Sequence, residues 1–136
     1  DKKIEILLFG KDEEKENEII SKIDEKRIRV VKTEDIRDTA LIIKKCRIFL
    51  SVDTSLMHIA ASVKVSKQFV IDTPTLNETV YPRKDFILIK NPGIIKNKLE
   101  YYKYNGKPIN ANEEEMKKIM SSISVDNVFN EIKKYL

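Results

Sequence analysis

A chain of 136 residues, 35% charged and 41% apolar, has the balance of one globular domain with a core and is too apolar for a disordered segment. Its formal charge of +4 comes from 26 basic and 22 acidic residues interspersed almost everywhere. A solvated mixed surface is the simplest reading of that pattern, and attraction to phosphate-rich partners or to an anionic membrane surface is the alternative. No apolar run approaches the roughly 20 residues of a membrane span, and there is no signal-peptide pattern. The single cysteine, Cys46, lies in an apolar helical pattern, which excludes an internal disulfide and fits a core residue in a reducing compartment. Because the sequence starts at Asp1 and runs from a lysine pair straight into an apolar strand, it is expected to be a piece of something longer.

Ile4 to Phe9 is nearly continuously apolar, which predicts a strand covered on both faces. Gly10-Lys11-Asp12 breaks it. A helix follows, with Glu13, Glu14 and Glu16 at the start, where the dipole favours acids, and Ile19, Ile20 and Ile23 on one face. Ile28 to Val31 is the next strand. Thr33 and Asp35 are alternative N-caps for a helix that turns Ile36, Ala40 and Ile43 inward. Ile48 to Val52 is the third strand, and the helix after it shows Leu56, Ile59, Ala60 and Val63 at one-face spacing. Gln68 to Ile71 is the fourth, ending at Asp72-Thr73-Pro74. Strand and helix thus alternate three times over short joints. That predicts an α/β fold, one parallel sheet with helices on both faces. Ligands of such sheets bind at the carboxyl ends of the strands, here the polar loops Gly10 to Glu14, Asp53 to Ser55 and Asp72 to Thr75 along one edge.

After Pro74 the pattern loosens into a loop with Tyr81-Pro82, a short fifth strand from Phe86 to Ile89, and turn chemistry at Asn91-Pro-Gly93. Lys96 to Ala111 is an irregular excursion carrying Tyr101, Tyr102 and Tyr104 among lysines. Such tyrosines can stack on bases, but surface aromatics half-buried by their own loop are commoner, and no nucleic-acid partner is expected. Asn112 and Glu115 make a capping pair for a helix with Met116, Ile119, Met120 and Ile123 on one face. Ser124 caps the final helix, which turns Val128, Phe129 and Ile132 inward.

The chemistry concentrates in Ser51-Val-Asp-Thr-Ser-Leu-Met-His-Ile-Ala-Ala61. A strand that runs into a helix through small polar residues exposes free amides beside the positive end of the dipole, which suits a phosphate. With three glycines in the chain and no Gly-rich dinucleotide fingerprint or P-loop, any phosphate site rests on the helix start at Thr54 and Ser55. Asp53 reads either as the N-cap, accepting from the amides of Ser55 or Leu56, or as an acceptor for sugar hydroxyls. His58 is either a solvent-facing or backbone-bonded residue or a contact to phosphate or sugar. One histidine and one cysteine on different elements do not make a zinc set, and neither a metal nor a cofactor is expected.

Val52-Asp-Thr-Ser-Leu-Met-His-Ile-Ala-Ala61 resembles the donor-binding signature of the ADP-heptose:lipopolysaccharide heptosyltransferases, glycosyltransferase family 9. Leu8-Phe-Gly10 leading into an acidic helix resembles the family's strand–glycine–glutamate element. Phe69-Val-Ile-Asp-Thr-Pro74 with Tyr81-Pro82 is similar to its next strand and loop, and Ile123-Ser-Val-Asp-Asn-Val128 to its closing helix. The resemblance spans nearly the whole chain. It implies a Rossmann-like parallel sheet flanked by helices, the C-terminal half of a GT-B glycosyltransferase, with residues 1–136 as a single donor-binding domain and the N-terminal acceptor domain absent. It further implies that the amides at Thr54 and Ser55 hold the diphosphate of a nucleotide sugar. Asp53 would meet the sugar hydroxyls with His58 nearby, and Glu13 or Glu14 would reach the ribose. In the family the general base of the inverting reaction comes from the N-terminal domain, so no catalytic residue is expected here and this chain alone is expected to be inactive. The implied enzyme moves heptose or a related sugar from an ADP-sugar to a lipopolysaccharide-core acceptor, in the cytoplasm or peripherally at the inner face of the cytoplasmic membrane. The rival reading is a non-catalytic nucleotide- or partner-binding module on the same fold. Three departures from the family pattern stand out: Ser55 for the commoner glycine, Leu56 for a frequent proline, and Lys64-Val-Ser-Lys67 for the usual Gly-x-Pro turn.

Overall fold

The computed structural model describes residues 4–10, 12–22, 26–73, 85–97 and 113–136, which form two compact units, Asp1–Thr39 and Ala40–Leu136. Ile23, the loop with Tyr81 and Pro82, the tyrosine–lysine stretch and the Asn112 cap lie outside the described residues.

In the first unit, β1 (Ile6–Phe9) and β2 (Ile28–Val31) pair in parallel, Ile6 opposite Ile28 and Phe9 opposite Val31. The crossover is α1 (Glu13–Lys22). Asp12 caps it, its carboxylate accepting the Lys15 amide at 3.2 Å and its carbonyl accepting the Glu16 amide at 3.0 Å. Lys15 hydrogen-bonds back to Asp12 and holds that carboxyl below its ordinary range. The isoleucine face expected of α1 is not an inward one: Ile19 and Ile20 are 40% and 39% exposed, and the residue the helix buries is Glu16. The cause is a cation at the strand ends. Gly10 and Lys32 directly follow the paired residues Phe9 and Val31, and Lys32 Nζ meets Glu16 Oε2 at 2.7 Å. A carboxylate paired in this way can leave water. Gly10 makes the room, since a Cβ there would lie 2.5 Å from Glu16 Oε1.

Of the two candidate caps for α2 (Ile36–Lys45), Asp35 is the one used, its Oδ1 accepting the Arg37 amide at 2.6 Å. The Thr33 hydroxyl instead meets the Thr39 hydroxyl at 2.5 Å. Ile36 is 65% exposed, against expectation, whereas Ile43 is fully buried, as expected.

In the second unit, β3 (Ile48–Ser51), β4 (Lys67–Ile71) and β5 (Ile87–Ile89) run parallel in that order, with Ile48 opposite Lys67 and Phe69 opposite Ile87. The α/β class and the parallel strands are as expected. The strands, however, form two parallel sheets, β1–β2 and β3–β4–β5, where one was expected. Phe49, Phe69, Val70 and Ile89 supply the buried apolar side chains of the larger sheet.

The crossover from β3 to β4 is α3 (Ser55–Ser62), which packs on both strands. It buries Met57, Ala60 and Ala61, while Leu56, Ile59 and Val63 are half-buried, so its inward face is turned by about one residue from the expected one. The two alanines let the helix axis come close to the sheet.

Three helices complete this unit: α4 (Pro92–Asn97), α5 (Glu113–Met120) and α6 (Val125–Lys133). Asn91, fully buried, clasps the first two together. Its Oδ1 accepts the Gly93 amide at 2.9 Å and the Ser122 hydroxyl at 2.7 Å. Ser124 caps α6 as expected, accepting the Asn127 amide at 3.1 Å. Val128 and Ile132 are half-buried, but Phe129, one residue round the helix from Val128, is 52% exposed.

Candidate functional site

The polar junction falls where β3 gives way to α3. Thr54 is the N-cap residue, extended at φ −142° and ψ 170°, and its side chain makes no capping hydrogen bond. The first turn closes through the Met57 amide onto the Thr54 carbonyl at 3.0 Å. Asp53, half-buried, does not cap either. Among the described residues its carboxylate has no hydrogen-bond partner, and neither does the exposed imidazole of His58. The capping reading of Asp53 is thereby set aside. The amides of Ser55 and Leu56 are left without a partner among the described residues. Ser51 Oγ, two residues before Asp53, is buried and has no hydrogen-bond partner among the described residues.

Charge sharpens the contrast with the other helices. The first turns of α1, α2, α5 and α6 each carry an acidic residue that answers the dipole, and the first turns of α3 and of the short α4 carry none. An open helix start, two free amides and no first-turn acid form a place where an anion is favoured. Asp53 and His58 flank it, one a hydrogen-bond acceptor and the other able to donate or accept.

The helix is held in place from below. Gln68 on β4 donates from Nε2 to the Met57 carbonyl at 2.8 Å, a buried bond that fixes the first turn of α3 against the sheet. Asp72, at the end of β4 beside β3, is buried, and its amide donates to the Ile89 carbonyl at 2.9 Å. It lies on the same edge of the sheet as Asp53, as expected of loops following adjacent parallel strands. Val52, next to Asp53, joins Ile71, Ile123, Val125, Val128 and Phe129 in an apolar groove of about 430 Å³. Sequence reasoning missed that groove because it placed Phe129 inward.

Asp53, Thr54, Ser55 and His58 are therefore brought together on one strand-to-helix turn. Glu13 and Glu14 belong to the first unit, exposed in the first turn of α1, where Lys32 Nζ lies 3.5 Å from Glu13 Oε1. The acid that the fold singles out there is Glu16, which no sequence signal marked. Among the described residues no group of three His, Cys, Asp or Glu side chains is placed to hold a metal ion, and no helix is long and apolar enough to cross a membrane.

Parallel strands joined by crossover helices, with the candidate site on the turn after a strand, define a Rossmann-like α/β protein. The family model of glycosyltransferase family 9 (heptosyltransferase) matches residues 1–68, a span that contains the whole of Asp53 to His58. The chain belongs to glycosyltransferase family 9, and it is a glycosyltransferase chain by that membership, which implies a nucleotide-sugar donor and a sugar acceptor. No curated protein and no solved structure matches it.

Proposed function

We propose that residues 1–136 are the donor-binding domain of an inverting glycosyltransferase that moves heptose or a related sugar from an ADP-sugar to a lipopolysaccharide-type acceptor. The observation that carries this reading is the uncapped start of α3, where the Ser55 and Leu56 amides have no partner among the described residues and no first-turn acid opposes an anion. In this reading the amides hold the donor diphosphate and stabilise the charge that builds on it as the sugar departs. Asp53 accepts from the sugar hydroxyls and His58 contacts the donor beside it. The base that deprotonates the acceptor hydroxyl comes from a companion domain, so this chain binds donor without turning it over. The enzyme works on the cytoplasmic side, peripherally at the membrane that presents its acceptor.

Titration of the chain with ADP, ADP-sugars and other nucleotide sugars tests the reading. ADP-sugars should bind, and Asp53→Ala should weaken the ADP-sugar while leaving ADP itself nearly unchanged. Equal loss for both ligands would move Asp53 off the sugar. No binding of any nucleotide would overturn the donor site and leave the non-catalytic partner-binding module.

A further inference from the structure

The opposite end of the second unit is basic. β3 and β4 begin side by side, with Ile48 opposite Lys67, and Arg47 directly precedes Ile48. α2 ends at Lys45 only a short joint before β3, which brings Lys44 and Lys45 to this end. Lys64 lies in the joint from α3 to β4. The chain beyond α6 closes the same end through Tyr135: Arg47 Nη2 donates to its carbonyl at 2.8 Å, and its ring meets Phe69 edge-on at 5.5 Å with Lys67 Nζ 5.1 Å above it. Lys133 and Lys134 arrive with it. All these cations are exposed. Among the described residues, the acids whose contacts or register place them here are Glu131, engaged by Lys134 at 2.7 Å, and Asp85, just ahead of β5. Lys44, Lys45, Lys64 and Lys133 have no ion-pair partner among the described residues.

Helix dipoles account for part of this charge, since cations favour helix C-termini, and Lys44, Lys45 and Lys133 fall in last turns. They do not account for Lys64. It sits at φ 54° in the left-handed position that stops α3, where glycine is the low-energy residue. Nor do they account for Arg47 and Lys67 at the strand starts.

We propose that this end of the second unit docks on an anionic phospholipid surface. The proposal rests on the peripheral location given above and names the face that makes the contact. Lysines dominate the patch, and compact ammonium charges suit diffuse headgroup phosphates. Leu41, 59% exposed, lies one helical turn before Lys44 and Lys45 on the same face of α2 and supplies an apolar foot among them. A nucleic acid fits this end less well. The guanidinium of Arg47 is engaged by Tyr135, and the Tyr135 ring lies between Phe69 and Lys67, so neither is free for bidentate or stacking contacts. Docking by the strand starts leaves the turn at Asp53, at the other end of the same strands, toward the water from which a nucleotide sugar arrives.

The test is co-sedimentation of the full chain with phosphatidylcholine vesicles, with and without phosphatidylglycerol, at low and physiological salt. Binding should require phosphatidylglycerol and weaken with salt. Lys64→Gly should cut the partition coefficient about five-fold and Lys44→Gln with Lys45→Gln further, each lysine counting about equally. Lys64→Gly also relieves the left-handed strain and raises the melting temperature, so its loss of binding does not come from unfolding. Phosphatidylglycerol-dependent binding that ignores these variants overturns this face while leaving the peripheral location standing. Absence of any such binding overturns both, without touching the donor titration. Tighter binding to a duplex oligonucleotide, lost in the same variants, reassigns the patch to nucleic acid and overturns the proposal.

Discussion

Gln68 Nε2 donates to the Met57 carbonyl at 2.8 Å in a buried bond, and through it β4 fixes the helix whose free amides face the candidate site. Met57 is itself 1% exposed, so water cannot replace the lost donor. Gln68→Leu leaves that carbonyl without its side-chain partner and should cost about 1–3 kcal/mol, read as a lower urea midpoint with unchanged m-value. An unchanged midpoint would mean that α3 is held by Ala60 and Ala61 packing alone.

Ser55→Pro separates the site from the fold. Proline is tolerated at the first helical position, and the residue before it must be extended, as Thr54 already is at φ −142° and ψ 170°. Stability should therefore change little. The substitution removes one amide donor from the proposed diphosphate cradle, and a hydrogen bond to a charged group contributes about 1.5–3 kcal/mol, so affinity for ADP should fall on the order of ten- to a hundred-fold. Calorimetric titration reads the change. Undiminished affinity in a folded Ser55→Pro variant would place the phosphates elsewhere.

Lys64 ends α3 in the left-handed conformation, with the Val65 amide on the Ala60 carbonyl at 3.1 Å and the Lys64 amide on the Ala61 carbonyl at 3.2 Å. Those bonds need the positive φ and not the side chain. Lys64→Gly should stabilise the chain by about 1 kcal/mol, and Lys64→Val should destabilise it by more than the glycine gains. Thermal melts of the two variants should bracket the parent.

Gly93 shows the opposite economy. A Cβ there would lie 2.6 Å from Ser122 Oγ, 3.0 Å from the Ile119 carbonyl and 3.2 Å from Asn91 Oδ1. Gly93→Ala should cost about 1–3 kcal/mol by overpacking the clasp around Asn91. Adding Ser122→Ala should recover only part of the melting temperature, because the Ile119 carbonyl belongs to the backbone.

The strands and most helices were legible because continuous apolar runs and periodic isoleucines carry local information, and Asp35 and Ser124 cap as their chemistry suggests. The junction at Asp53 to His58 was legible as a break in that pattern. Its decisive property was not: aspartate and threonine are both good caps, and only the backbone geometry shows that neither is used. Ala60 lies inward as expected, but the face was misjudged by about one residue: Met57 and Ala61 are buried where Leu56, Ile59 and Val63 were expected, and an alanine carries little hydrophobic signal although its small size is what lets the helix approach. Lys64 hid a left-handed helix stop that a glycine would have announced. Burial of Glu16 depends on Gly10 and on Lys32, sixteen residues away, and no local spacing encodes such a pair.

That pair sets a pH dependence. The Glu16 carboxylate hydrogen-bonds Lys32 and, with Glu13 farther off, holds the ammonium's pKa above its ordinary 10.5. A lysine whose folded pKa is raised contributes stability that is complete below the unfolded value and is lost as pH rises through the folded one. The urea midpoint of the parent should thus exceed that of Lys32→Met at neutral pH, and the gap should close once the pH passes the raised value. Comparing the two proteins cancels the other lysines. Gly10→Ala should narrow the neutral-pH gap as well, since its methyl displaces Glu16 Oε1 and loosens the pair. A gap that persists unchanged at high pH would show that the lysine stem, covering apolar surface, stabilises the first unit and that its charge does not.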